Sequence, residues 1–226
     1  GTKIPGCCSR TMKRPLEFAM ITRQAFSNID SDRQDLREHR SADSGLSPAT
    51  AALIVGGVQV LSGLFSKRYS PDPTHPDIRD WYDSLDKPPY KPPDPVFGAA
   101  WPVVTTLLGL GAYRLMRQPR SAERDAALAL WAANIAMTSG WGKVFFGERS
   151  ITGGAVLGTA MVASGAAYVE RAAHVDGVAA ALGVPFTAWT VFGDVMTEDL
   201  RERNRDLDGR DAPAPVKSRQ GAADGD

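Results

Sequence analysis

The sequence predicts an all-α membrane protein: a bundle of five transmembrane helices between polar tails. Three observations lead there. Five stretches contain no Asp, Glu, Lys, Arg or His: Ala49–Ser66, Val96–Tyr113, Ala126–Gly142, Ile151–Val169 and Gly177–Gly193. Each is 17 to 19 residues long, and a helix rising about 1.5 Å per residue then crosses most of a hydrocarbon core of roughly 30 Å. The charges are confined to the gaps and ends. A soluble amphipathic helix places charge on its outer face every three or four residues. Burying five charge-free helices on all sides is beyond a domain of this size, so their outward faces are expected to meet lipid.

Averages conceal this segregation. The 226 residues carry 26 Lys plus Arg and 26 Asp plus Glu, a net charge of zero, with a mean hydropathy of −0.22. The charge balance excludes nucleic acid as an expected partner, because no basic excess is present to neutralise phosphates. His39, His75 and His174 share no ligand spacing, and Cys7 and Cys8 are adjacent with no second pair. Neither a metal site nor a disulfide framework is expected.

Residues 1–47 are polar, with seven charges between Asp30 and Arg40, and are predicted to be a disordered leader because they have little apolar surface to bury. Residues 205–226 are predicted to be a disordered tail for the same reason. The membrane domain is therefore placed at 48–204. The segment 67–95 that follows the first span holds eight prolines, with Trp81, Tyr82 and Tyr90 among them. Proline fixes φ and removes a donor, so Lys87–Pro93 is expected to be extended and stiff. Such a segment acts either as a lid over the bundle or as a connector whose aromatic rings sit in the interfacial belt. In the second span Pro102 is tolerated if it lies in the first helical turn.

The fourth span is rich in small residues, with Gly154 and Gly158 in a G-x-x-x-G pair. Small residues let helices approach closely in lipid. They serve packing within the bundle or, as the alternative, form an oligomer interface in a homodimer. After the fifth span come Asp194, Glu198, Asp199, Arg201, Glu202 and Arg203. Either the membrane ends near Gly193 and these belong to a solvated helix end, or Asp194 and Glu198 form a polar patch at a pocket floor. Basic residues near the spans are distributed almost evenly between the two sides. The slight excess favours a cytoplasmic C-terminus.

The run Trp81-Tyr82-Asp83-Ser84-Leu85-Asp86-Lys87-Pro88-Pro89-Tyr90-Lys91-Pro92-Pro93, followed by Val96-Phe97-Gly98 and Trp101, resembles the signature of the TspO/translocator-protein family. Its members are also called tryptophan-rich sensory proteins and peripheral benzodiazepine receptors. Trp141, Phe145-Phe146-Gly147 and Pro185-Phe186-Thr187-Ala188-Trp189 with Phe192 continue the resemblance over about 49–204. It implies a multi-pass integral membrane protein of five helices, often dimeric, with a pocket inside the bundle. It implies tetrapyrroles, porphyrin or haem, as ligands rather than obligatory cofactors, and a sensory, regulatory or transport role. Light-dependent porphyrin breakdown and a partner-binding scaffold are the alternatives. By position, the implied ligand-binding residues are Trp81, Tyr90, Trp101, Asn134, Trp189, Phe192 and Gly193, with an interhelical hydrogen bond as the other reading of Asn134. The sequence departs from the family at Thr138 and Thr197, where Asn is usual, and at Pro95, Pro102 and Asp194. No nucleophile–base pair, metal cluster or phosphate loop marks a catalytic centre.

Overall fold

The computed structural model describes residues 44–210, together with the single helical positions Ser27, Ser31 and Gln34. The chain divides into the units Gly1–Ser44 and Gly45–Asp226. Most of the leader expected over 1–47 and most of the tail expected over 205–226 lie outside the described residues.

Between residues 45 and 210 the regular structure is all helical: α1 (Pro48–Lys67), α2 (Pro76–Ser84), α3 (Asp94–Met116), α4 (Ala122–Gly142) prolonged by a π-turn (Lys143–Gly147), α5 (Ile151–Ala173) and α6 (Gly177–Arg203). Four of these, α1, α3, α5 and α6, are long and apolar enough to cross a membrane. The fifth long helix, α4, begins with Glu123, Arg124 and Asp125 and packs against α1, α3 and α5. Together the five form the bundle that the charge-free stretches predict.

The helix starts follow elementary capping rules. The hydroxyls of Ser47, Ser121 and Ser150 each accept from the third amide of their own helix, α1, α4 and α5 in turn, and Asp176 accepts from Val178 and Ala179 at the start of α6. Each satisfies an amide that would otherwise lack a partner. Asp176 is almost closed to solvent and also holds Arg114, with Nη2 at 2.9 Å and Nε at 3.1 Å, and Gln118 at 3.2 Å. Burial by itself would raise its pKa, but the bonds from Arg114, Ala179 and Val178 together outweigh burial and hold the carboxyl below its usual range. The end of α3 is closed by Arg124, buried at 4% exposure, which donates to the Leu115 and Met116 carbonyls.

Two apolar clusters hold the bundle. The larger centres on Leu108, Leu115, Trp131, Tyr168 and Phe186. The smaller joins Trp81 and Leu85 to Phe145, Ile151, Met196 and Leu200, at the end where the proline-rich loop lies. Helices α5 and α6 pack most extensively. At that interface a Cβ on Gly165 would fall 2.9 Å from the Thr187 hydroxyl, and one on Gly183 2.5 Å from the Tyr168 ring. In contrast α1 is mostly exposed, with Leu53, Val60, Leu61 and Leu64 turned outward, as suits a helix whose outer face meets acyl chains.

Three details differ from expectation. The loop 67–95 contains a helix, α2. Pro76 stands in its first turn, where a missing N–H costs nothing, and buried Trp81 anchors it. The stretch after it, through Lys87–Pro93, is irregular apart from one turn closed by Lys91 N–H on the Pro88 carbonyl at 3.0 Å. Pro102 is not in the first turn, because Asp94 begins α3 eight residues earlier. Its ring therefore removes the helical donor to the Gly98 carbonyl. Finally, helical structure continues unbroken to Arg203, and residues 204–210 fold back. Gly209, at φ +70°, makes the left-handed turn that glycine tolerates best. Beside it Asp208 caps α5, accepting from the Ile151 amide at 2.6 Å and from the Thr152 hydroxyl.

A two-chambered cavity as candidate functional site

The π-turn at the end of α4 sets the geometry of the site. One residue too many for an α-helical turn brings Trp141, Phe145 and Phe146 into one aromatic group. Trp141 stacks on Phe145 at 4.5 Å with an interplanar angle of 10°, and Phe146 stands edge-on to both. The Trp141 indole N–H donates to the Gly154 carbonyl at 2.9 Å, which fixes its ring against α5. From the other side α2 brings Trp81 edge-on to Phe145 at 5.6 Å and Tyr82 edge-on to Phe146 at 5.5 Å. The smaller cluster is thus a stack of rings joining loop, α4 and α5.

Beside this stack is a cavity of about 280 Å³, lined mainly by Tyr82, Phe97, Trp101, Trp141, Phe145 and Phe146, with Gly193 and Asp194 from α6. A second cavity of about 700 Å³ lies between α1 and the helices α3 and α4. Its lining is hydroxyl-rich: Ser62, Ser66, Thr105, Thr106 and Thr138, with Gln59 and Lys67. Gly98, Trp101, Trp141, Phe146 and Met161 belong to both linings, as do Ser70 and Pro71 from the loop. The two share a wall; rings dominate the lining of the first and hydroxyls are more numerous in that of the second, although most of the exposed lining of both is apolar. Across the second chamber the hydroxyls of Ser62 and Ser139 share a hydrogen bond at 2.6 Å, and Gln59 donates to the Thr105 carbonyl. These bonds tie α1, otherwise the least packed helix, to α3 and α4.

The sequence-predicted residues are placed differently with respect to the two chambers. Trp101 and Gly193 line the cavity. Trp189 and Phe192 stand behind it: Trp189 packs on Phe97 at 5.2 Å, on Phe192 at 5.4 Å and on Trp101 at 6.4 Å. Tyr90, 46% exposed, reaches from the loop over Phe192 at 6.5 Å. Trp81 is fully buried beneath the lining, against Phe145. Asn134 lines neither chamber. It is fully buried and donates to the Ser164 hydroxyl at 3.0 Å and to the Leu130 carbonyl at 2.9 Å, an interhelical hydrogen bond between α4 and α5. Gly154 and Gly158 face inward. A Cβ on Gly154 would lie 2.6 Å from the Phe145 ring, and one on Gly158 would strike the Asp194 carboxyl group. Their close contacts are with their own chain.

Other lining residues were absent from the predicted site: Tyr82, Phe97, Trp141, Phe145, Phe146 and the hydroxyls of the second chamber. The aromatic density of 141–146 was visible, but nothing in the sequence announces a π-turn. The hydroxyls are dispersed over three spans with no periodicity that would single them out.

The loop end of the aromatic chamber is electrostatically closed. Lys91 pairs with Asp94 at the start of α3, and the Lys87 ammonium lies 4.5 Å from the Tyr82 ring centre. Burial lowers the Lys87 pKa and raises that of the Tyr82 hydroxyl. The loop is latched at its far side by Asn204, 3% exposed. Its side chain accepts from the Asp86 amide at 2.8 Å and donates to the Asp86 carbonyl at 3.0 Å and the Leu200 carbonyl at 2.8 Å. Among the described residues no group of three or more His, Cys, Asp and Glu is placed to hold a metal ion.

Residues 49–201 match the model of the TspO/MBR family. The chain is 30% identical over 128 residues to the translocator protein of Bos taurus, covering 55% of this chain and 75% of that protein. It is 33% identical over 115 residues to protein CrtK of Rhodobacter capsulatus, covering 50% and 72%. With the tryptophan-rich sensory protein of Cereibacter sphaeroides it shares 34% over 110 residues, covering 49% and 68%.

Proposed function

The chain belongs to the TspO/MBR family, an integral membrane protein of several apolar helices, and on that premise we propose that it binds a tetrapyrrole or a similar flat amphipathic ligand inside the bundle. The observation that carries this reading is the pairing of chambers. An aromatic slot of about 280 Å³ shares its wall with a hydroxyl-lined space of about 700 Å³, within the range of small-molecule sites. A porphyrin or haem is a flat apolar disc with polar substituents on one edge. Rings of Trp101, Trp141 and Phe146 stack on such a disc and exclude water. The hydroxyls and Lys67 beyond the shared wall offer donors to its acid edge.

Binding under a latched loop suits a sensory or regulatory protein, which reports occupancy through the loop, and equally a carrier that releases its ligand when the loop lifts. A homodimer would have to use a face other than Gly154 and Gly158, whose space is occupied by Phe145 and Asp194.

The test is a titration of the detergent-solubilised chain with protoporphyrin, read as quenching of tryptophan fluorescence. Saturable quenching at micromolar ligand is expected. Trp101→Ala, which removes a ring shared by both chambers, is expected to weaken it about tenfold or more, the loss of one buried aromatic contact. Linear, non-saturable quenching, identical in the variant, would refute the reading.

A further inference from the structure

We propose that Asp194 sets the ligand specificity of the aromatic chamber, selecting a ligand that presents a protonated amine or other N–H donor over one that presents a carboxylate at that place. The inference rests on the reading of the cavity as a ligand site and goes further by naming the chemistry of the group recognised.

Ring faces, donors and acceptors meet around the chamber. Its aromatic walls offer ring faces, which attract cations. Of the donors in its lining, Trp141 is committed to the Gly154 carbonyl, Thr190 to the carbonyls of Phe186 and Thr187, and Thr197 to that of Gly193, while the Trp101 indole and the Ser70 and Tyr82 hydroxyls also belong to the lining. Pro102 has left the Gly98 carbonyl, also in the lining, without its helical donor. Asp94 is paired with Lys91. Asp194 is not paired with a base: the Thr159 hydroxyl donates to its Oδ2 at 3.1 Å, and its Oδ1 is closed off against Gly158 with no hydrogen-bond partner. No Lys, Arg or His lines this chamber among the described residues. The nearest charged residue along α6, Glu198, is itself acidic and is engaged by Arg201 at 2.7 Å.

A ring-walled chamber with one carboxylate that no base in its lining compensates favours a nitrogen cation and repels an anion. The hydroxyl-lined chamber instead holds a base, Lys67. A ligand with a nitrogen donor at one place and an acid or hydroxyl group at another would therefore enter in one orientation only. Gly158 belongs to the same device, because any side chain there would displace the carboxyl group.

The test compares three probes that share one ring system: pyrenylmethylamine, pyrenylmethanol and pyrenecarboxylic acid. Binding to the full chain in uncharged maltoside micelles is read as energy transfer from tryptophan, with protein-free micelles correcting for partition. Wild-type protein is expected to bind the amine about tenfold more tightly than the alcohol, the size of one charge-assisted contact, and the acid most weakly. Asp194→Asn is expected to lose about tenfold in amine affinity and to hold the alcohol within about twofold. Retained alcohol binding shows that the variant's pocket is intact. An amine-to-alcohol ratio near one in the wild type would overturn the proposal without recourse to any variant. So would an unchanged ratio in Asp194→Asn. Failure of all three probes and of protoporphyrin to bind the wild type would instead sink the ligand-site reading on which it stands.

Discussion

Replacing Asn204 by Ala should loosen the proline-rich loop without unfolding the bundle. The Asn204 amide closes a two-way bond with the backbone of Asp86, accepting at 2.8 Å and donating at 3.0 Å, and donates a third bond to the Leu200 carbonyl at 2.8 Å. The third bond is shared with the helical amide of Asn204 itself, at 3.0 Å, so its loss costs little. The two bonds to Asp86 are worth about 1 kcal/mol each, giving roughly 2 kcal/mol for the latch. The neighbouring pair Arg203–Asp86, at 3.7 Å and largely exposed, is of the kind that contributes next to nothing and cannot substitute. A loss of about 2 kcal/mol raises the population of the open loop roughly thirtyfold. Hydrogen exchange should show this locally: the Asp86 amide, and the peptide spanning 85–91, should exchange about thirtyfold faster, while peptides from α3 and α5 remain unchanged. Ligand release should accelerate in step. Exchange at Asp86 equal to wild type would refute the latch. A uniform increase over the whole bundle would also refute it, since it would mean that Asn204 supports the fold and not the loop.

Two other substitutions test the packing and the charges. Gly158→Ala should destabilise, although Gly→Ala within a helix ordinarily stabilises by about 1 kcal/mol, because the new methyl group collides with Asp194. Gly57→Ala, where a Cβ meets nothing within 4 Å, is the control and should raise or hold the thermal midpoint in detergent; equal responses at both sites would discredit the α5–α6 contact. Asp176→Asn should cost about 1–2 kcal/mol at neutral pH: Asn keeps the helix cap, but the bonds to Arg114 and Gln118 lose their charge assistance. Its folded pKa is depressed, so its contribution is present above the unfolded carboxylate pKa and is lost as pH falls through the folded one. The difference in thermal midpoint between wild type and Asp176→Asn should therefore shrink as pH is lowered from 5 towards 3, and a difference that grows over that range would contradict the assigned bonds.

The five long helices were legible because a charge-free stretch of this length has one common explanation, loss of water on every outward side. Even α4, less apolar than the rest, was found by the absence of charge after Asp125 and not by its hydropathy. Legibility ended where the backbone departs from a regular period. Lys87–Pro93 reads as extended and carries no helix, but nothing in the proline spacing marked α2 just before it, which seats buried Trp81 against Phe145. The helix end at Asp194–Arg203 had two readings from sequence, and the structure assigns different residues to each. Asp194 lines the cavity, whereas Asp199 and Glu198 are engaged by Arg203 and Arg201 on the helix surface.

The division has a physical origin. Residues 198, 199, 201 and 203 neutralise one another at spacings of three and four, so this turn of α6 can lie at a lipid boundary at little cost. Asp194 stands one turn earlier, has no residue of opposite charge at i±3 or i±4, and turns towards Gly158 on α5. A carboxyl group in that position disfavours insertion, by roughly 2.5–3.5 kcal/mol for Asp at a helix centre. A fold that keeps it, and that leaves α5 without a side chain to accommodate it, holds a carboxyl group in a chamber whose lining carries no Lys, Arg or His among the described residues.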